Sequence, residues 1–433
     1  GGECSRHVLH HALHGLPLGV KDLQATAGLL TTSGNVRLRG HVPERDVSYV
    51  ARLRAAGAIV TAKTNTPDMG AGANSRNPVW GATGNPFNPA LNAGGSSGGS
   101  AAALACDMRG SWCRAWVVVG LRPSPGLIAN DMRPLGWSAI SVLGPMGRDV
   151  ADTAFMMQAS VGPHPMDPLS LGVQHEAFWP VQPADLRQLR VAYTEDFGAC
   201  AVDPMIRRAF RERVQALSRE VAVCEPLHWD LSDGHRCFDV IRAESFFAAF
   251  EEVYRTQPDT LGPNVRANVE MAASITLADR AWAHLAQTRI NRQFQTAFEH
   301  YDLILSPVTP MSPFPWTQLY AEVVDGQKQR NYYEWLSLAY MVTLATNPAL
   351  SLPLGCDEAG MPFGLQLVGP LHRDAHLLRM AGALEQWGKT QAGWGRPRPD
   401  MAALQQPRPE LKSIVTHPPV LAGGAMVDSR NAV

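Results

Sequence analysis

An α/β fold, in one or two units of domain size, is what this sequence predicts, and three observations predict it. Short apolar runs alternate with segments of helical period along nearly the whole chain. The 433 residues exceed the usual size of one domain, which leaves either two domains or one large α/β domain with insertions. A composition of 45% apolar and 18% charged residues supplies a sizeable core and excludes disorder or a collagen helix for the chain as a whole.

Taken in order, residues 17–20 read as a short strand leading into Lys21-Asp22, residues 45–56 as a helix closed by Gly57, and residues 58–62 as a strand. Residues 70–99 are too rich in Gly, Asn and Pro for regular structure, and they end in Gly94-Gly95-Ser96-Ser97-Gly98-Gly99-Ser100 before a buried helix starts at 101–105. A strand at 117–121 runs into Pro123-Ser124-Pro125-Gly126, a forced turn, and a second loop reaches Gly147 ahead of a helix at 149–159. The texture then repeats. Residues 189–193 form a strand, and Asp203-Pro204 opens a helix with Ile206, Phe210, Val214 and Leu217 on one face. A strand returns at 221–223. Residues 238–300 are mostly helical, 303–305 enter a turn-rich stretch, 350–354 and 363–368 are neighbouring strands, and 374–386 form a last helix. The main body is expected to span 1–404; 405–433 show no period and read as a loosely ordered tail. There is no tandem repeat.

Lys plus Arg number 38 against 39 Asp plus Glu, so the net charge of −1 offers no long-range attraction for nucleic acid or an anionic membrane, and small-molecule chemistry is the better expectation. The seven cysteines, Cys4, Cys106, Cys113, Cys200, Cys224, Cys237 and Cys356, contain no Cys-x-x-Cys pair and read as reduced thiols of a cytoplasmic protein. The longest apolar stretches fall far short of the roughly 20 residues that span a bilayer. Residues 1–14 lack the order of a signal peptide, and the start at Gly1 reads as trimmed or truncated.

The run from Gly94 to Ser100 has the composition of a flexible linker. Its position between an Asn/Pro-rich loop and an Ala-rich helix start favours a site, because backbone amides gather there. Lys21 ends an apolar strand, where partial burial would lower its pKa and make it a base. Between them lie Ala62-Lys63-Thr64-Asn65-Thr66-Pro67 and Gly81-Ala82-Thr83-Gly84-Asn85-Pro86-Phe87, and the set together is far more specific than any one member.

With these residues the sequence closely resembles the amidase signature family, serine hydrolases with a Ser-Ser-Lys triad. The resemblance runs from about Gly15 to about Gly395. It includes Leu53-Arg54-Ala55-Ala56-Gly57-Ala58, Gly120-Leu121-Arg122-Pro123-Ser124, Gly144-Pro145-Met146 with Val150-Ala151-Asp152, Asn347-Pro348-Ala349, and Gly364-Leu365-Gln366-Leu367-Val368-Gly369. It implies one large α/β domain with a mixed, twisted sheet flanked by helices on both faces. It also implies that Lys21 is the catalytic lysine and Ser96 the bridging serine, held through a cis peptide bond, with Ser97 as the fallback. A neutral lysine can draw the proton from a serine hydroxyl through a second hydroxyl.

The family's nucleophile sits in an Asp-x-Gly-Gly-Ser turn, which Asp107-Met108-Arg109-Gly110-Ser111 matches with Arg109 in place of the first Gly. Ser111 is therefore the candidate nucleophile, and the backbone of Met108, Arg109 and Gly110 the candidate oxyanion hole. Ser111 follows Ser96 by only 15 positions, a shorter spacing than the family's, and residues are also missing between Ser111 and Val118. Gly permits φ > 0 in such a turn and Arg mostly does not, and losing one oxyanion donor costs about 100- to 1000-fold in rate. Together with the family's missing N-terminal helices, this reads as a truncated and internally deleted amidase.

Other signals are read as structural. His7, His10, His11 and His14 have helical spacing but lack a third ligand type, so no metal is expected. Cys106 and Cys113 flank the candidate nucleophile and read as packing. Asp22 and Asp68 read as solvated or paired charges at a loop mouth, and Arg122 as a tie to a carboxylate. Trp80, Trp112 and Trp137 read as core more readily than as a substrate pocket. The expected activity is hydrolysis of a carboxamide C–N bond to carboxylate and ammonia or amine, through a serine acyl-enzyme and without metal or organic cofactor. The expected partner is a small-molecule amide, with a homodimer left open, no nucleic acid and no membrane. Two alternatives stand beside this: the glutamine-hydrolysing component of a tRNA-dependent amidotransferase, and a catalytically impaired or dead homologue that binds a partner or has no function.

Overall fold

The computed structural model describes residues 13–107, 118–174 and 177–421. Its principal strands are β1 (Pro17–Lys21), β2 (Ile59–Thr64), β3 (Val119–Arg122), β4 (Met146–Gly147), β5 (Arg190–Tyr193), β6 (Val223–Pro226), β7 (Leu303–Pro307), β8 (Ala349–Cys356) and β9 (Pro362–Val368). Between them run α1 (Ser48–Ala55), α2 (Gly98–Ala105), α3 (Val150–Ser160), α4 (Pro204–Leu217), α5 (Asp233–Thr256), α6 (Pro263–Ala272), α7 (Leu277–Ala297), α8 (Ser337–Ala345) and α9 (Asp374–Thr390).

Seven strands form one mixed sheet in the order β6-β5-β7-β9-β8-β3-β4. The first three are parallel, and from β7 onward each neighbour is antiparallel. Every residue of β7, and all of β8 up to Gly355, is buried. Such continuous apolar strands need cover on both faces. On one face Ser306, Gln366 and Ser351 align across β7, β9 and β8. There the Gln366 amide donates to Ser306 Oγ at 2.9 Å and to the Leu338 carbonyl of α8 at 3.0 Å, which satisfies a fully buried polar side chain. Near the end of β8, Leu354 lies instead under α9, so close that a Cβ on Gly388 would stand 2.4 Å from its Cδ1. The mixed sheet with helices on both faces is thus the architecture the resemblance implies.

Lys21 and its neighbours stand apart from that sheet. β1 and β2 form their own parallel pair, with Val20 opposite Lys63 and Lys21 opposite Thr64. Parallel neighbours need a crossover, and the segment containing α1 supplies it. The predicted irregular segment 70–99 holds short ladders as well, Arg76–Asn77 with Gly81–Ala82 and Gly84–Asn85 with Asn88–Asn92. Its asparagines explain how so broken a chain stays ordered. Asn65 donates to the Gly81 carbonyl and Thr83 Oγ1, Asn77 to Asn65 Oδ1 and the Thr66 carbonyl, and Asn92 to the Phe314 carbonyl. Side-chain amides do here what longer ladders do elsewhere.

The described part of the segment read as a tail, 405–421, is fastened to the loops beside it: Thr416 and His417 donate their backbone N–H groups to the Pro78 carbonyl at 3.1 Å, and Val420 donates to the Arg39 carbonyl at 2.9 Å. Its order comes from backbone bonds to distant loops, which leave no period in the sequence. Among the described residues, no helix is long and apolar enough to cross a membrane.

Gly81 has φ +89°, and a Cβ there would stand 2.4 Å from the Leu411 carbonyl oxygen. Gly81→Ala is expected to cost about 1–3 kcal/mol in a urea titration. It should also hasten tryptic cleavage after Lys412; an unchanged midpoint with unchanged cleavage would mean that this docking contributes nothing.

Candidate active site

Lys21 is the last residue of β1 and only 7% exposed. Its Nζ donates to Ser96 Oγ at 2.6 Å. The Gly95–Ser96 peptide bond is cis. Ser96 is half-buried, whereas Ser97, 1% exposed, has a buried Oγ with no hydrogen-bond partner among the described residues. The serine that meets the lysine is therefore Ser96.

The Gly/Ser run is not a linker, because its glycines lie against backbone. A Cβ on Gly95 would stand 2.8 Å from the Ala73 carbonyl carbon, and one on Gly99 would stand 2.3 Å from the Asn65 nitrogen. The start of α2 is pinned by two hydroxyls: Gly98 N–H donates to Ser75 Oγ at 2.7 Å, and Thr64 Oγ1 shares a hydrogen bond with Ser100 Oγ at 2.6 Å. Thr64 sits opposite Lys21 in the β1–β2 register, so one pair of strands aims both the lysine and the residue that anchors the helix.

The neighbouring charges are structural, and they are not at a solvated mouth. Asp22 is buried and accepts from the Thr32 backbone at 2.9 Å, from the Trp80 indole at 3.1 Å, and from Thr32 Oγ1. Burial pushes its carboxyl above the usual range, and the Thr32 hydrogen bonds and the Lys63 charge oppose this. Trp80 is thereby a clamp on Asp22. Asp68 accepts from Asn35 Nδ2 at 2.7 Å and from Gly262 N–H at 2.6 Å, and burial raises its pKa to about 6. A second lysine, Lys63, donates to the Gln24 carbonyl at 2.5 Å and to Thr26 Oγ1 at 2.9 Å. Burial draws its pKa down to about 8, against the pull of Asp22 and Asp46.

Ser96 opens onto a cavity of about 200 Å³. Gly70, Gly72, Ala73 and Gly95 form one side; Phe238, Tyr332, Tyr333 and Tyr340 supply aromatic groups to the rest. Phe238 and Tyr340 stack at 4.3 Å, and the Tyr333 hydroxyl donates to Asp239 at 2.7 Å. None of these aromatics carries a motif signal: they come from α5 and from the stretch before and within α8. Of the tryptophans, Trp137 is 79% exposed and lines nothing here.

Met108, Arg109, Gly110 and Ser111, the predicted oxyanion and nucleophile positions, lie outside the described residues, as do His7, His10, His11, Trp112 and Cys113. Cys106 is described, and burial raises its thiol pKa, with Asp107 adding to this, so a ready thiolate is disfavoured. Arg122 donates to the carbonyls of Pro123 and Ala139 at 3.2 Å. No group of three or more His, Cys, Asp or Glu able to hold a metal occurs among the described residues.

Comparison with known proteins gives the same frame. The family model described as Amidase matches residues 4–109 and 113–378. A glutamyl-tRNA(Gln) amidotransferase component from Acaryochloris marina (strain MBIC 11017) is 31% identical over 412 residues, 86% of this chain and 84% of that protein. Among solved structures, a bacterial aryl acylamidase of the amidase signature enzymes superposes with a TM-score of 0.78 at 22% identity, over 87% of this chain and 83% of its own. A crystal structure of an amidase gives 0.72 at 26% identity, over 89% and 87%.

Between the folded pKa of Lys63, about 8, and its ordinary value of 10.5, the unfolded chain binds more protons than the native one. Stability contributed by this residue therefore rises with pH across that window, and its cost is full below pH 8. Lys63→Met is expected to remove that rise. Urea midpoints of both proteins at pH 8 and pH 10 test it, and parallel changes in the two would rule out a buried, depressed Lys63.

Proposed function

The chain belongs to the amidase family, and on that premise we propose that it hydrolyses a carboxamide C–N bond through an acyl-enzyme, with Lys21 as base, Ser96 as relay and Ser111 as nucleophile. The observation that carries this is the 2.6 Å contact from Lys21 Nζ to Ser96 Oγ beside the cavity. In the proposed cycle neutral Lys21 takes the Ser96 hydroxyl proton as Ser96 takes that of Ser111, and Ser111 Oγ bonds to the amide carbon. The negative charge on oxygen is met by backbone N–H groups of Met108, Arg109 and Gly110, the positions the family resemblance assigns. The C–N bond then breaks as the proton returns from Lys21 through Ser96 to the leaving nitrogen. Water repeats the sequence on the ester, releasing the carboxylic acid and restoring Ser111.

A second reading, the glutamine-hydrolysing component of an amidotransferase, is favoured by the name and 31% identity of the Acaryochloris relative. The cavity bears on both readings: glutamine carries a carboxylate, which Arg242 suits, and an ammonium group, for which none of the described lining residues is an Asp or Glu. Stable co-purification with a tRNA-binding partner, together with ammonia release from glutamine, would decide for the second.

Labelling with a fluorophosphonate probe, followed by peptide mass spectrometry, tests the site directly. An adduct on Ser111 in the native protein that is absent in Lys21→Ala is expected. Ser96→Ala should lower the labelling rate by about 100- to 10,000-fold. Folded protein that takes no label would reduce the reading to ancestry and favour an impaired homologue, in keeping with Arg109 and the short spacing from Ser96 to Ser111.

A further inference from the structure

The cavity at Ser96 continues past its aromatic side. It shares Phe238, Arg242 and Thr343 with a second cavity of about 530 Å³, bounded by α5 and the loop before β4. Arg242 thus stands where the two meet. Among the described residues lining either cavity there is no Asp or Glu, and the charged groups are three arginines, Arg122, Arg133 and Arg242. Arg122 is engaged by the two carbonyls described above, and Arg133 pairs with Asp167 at 3.2 Å.

Arg242 is different. Among the described residues, no carboxylate lies within ion-pairing distance of it. The nearby acid on its own helix, Asp239, is taken by Arg330 at 2.8 Å and by the Tyr333 hydroxyl at 2.7 Å. Arg242 Nη2 donates to the Tyr332 hydroxyl at 2.5 Å, but its buried Nε has no partner among the described residues. The guanidinium carbon lies 4.6 Å from the ring centre of Phe246, 5.0 Å from Tyr333, 5.5 Å from Tyr332 and 5.8 Å from Phe238. These faces hold the cation in place without accepting its N–H bonds in full. A buried donor left unpaired is costly, and a planar guanidinium is matched by a carboxylate, which takes two parallel N–H bonds.

We infer that Arg242 is a specificity-determining residue that pairs with a carboxylate carried by the amide substrate. The substrate class is then acidic amides with an aromatic or apolar body, the anion reaching from the scissile amide beside Ser96 to the junction of the cavities. This rests on the amidase reading for the position of the scissile bond; the anion site itself does not.

The test compares succinyl, glutaryl and adipoyl 4-nitroanilides with the butanoyl, pentanoyl and hexanoyl 4-nitroanilides of matching length. At one or more lengths the acidic anilide is expected to show a kcat/KM about 10- to 100-fold above its neutral partner. Arg242→Gln should bring that ratio close to one, and Arg242→Lys should keep part of it. A purely structural arginine would lower both members of a pair alike and leave the ratio unchanged, which would overturn the inference. So would a wild-type protein with no acidic preference at any length, a result that needs no folded variant. Calorimetry of the same anilides on Lys21→Ala and on Lys21→Ala/Arg242→Gln separates the two readings. Acidic anilides that bind only when Arg242 is present, with no turnover by the wild type, would uphold the anion site and remove the hydrolase. Turnover without acidic preference would do the reverse.

Discussion

The contact between Lys21 and Ser96 constrains the rest of the site more than any other interaction, because it requires a buried lysine to meet a half-buried loop serine at the edge of a cavity. An amine on a flexible four-carbon stem does not hold such a position by itself. Its Cα is fixed by the β1–β2 register, and Ser96 is fixed by glycines that let the loop lie on Ala73 and Asn65. Thr64, opposite Lys21, holds Ser100 in the helix that follows the serine. Lysine and serine thus share a single support, and movement of β2 relative to α2 would disturb both.

That support is polar, which explains the composition of the segment around it. A tight loop without a long ladder leaves backbone donors and acceptors unpaired unless side chains answer them. Asn65, Asn77 and Asn92 do so, and buried Asp22 and Asp68 perform the same service for Thr32, Trp80, Asn35 and Gly262. The raised pKa of the two carboxyls is the cost of placing acids in this layer, set against the loops they fasten. The central sheet makes a different contribution. Its leucine-rich strands, covered by α8 on one face and α9 on the other, form a rigid floor that the loop layer lacks.

The cleft beyond Ser96 has the loop layer, at Gly70, Gly72, Ala73 and Gly95, on one side only. Its aromatic side comes from α5 and from residues 332–343, and Arg242, which has no carboxylate partner among the described residues, lies on a helix that no motif marks. Rings that stack on one another and on a guanidinium form a stiff surface. A stiff surface selects among ligands better than one that adapts.

The family resemblance, and no local signal, implied the pairing of Lys21 with Ser96, 75 residues away; local chemistry in the sequence determined the strands and most helices. Each of these rests on period, on turn formers or on a short motif, and each is a property of neighbours along the chain. Tertiary structure alone decided that β1 and β2 leave the main sheet and that Asp22 is buried under Trp80. It also decided that residues 405–421 dock on Pro78 and Arg39 and that Arg242 faces the same cleft as Ser96. The physical reason is common to all four: they depend on which distant groups share a buried space, and neither hydrophobic period nor residue type encodes the identity of a partner far away in the chain.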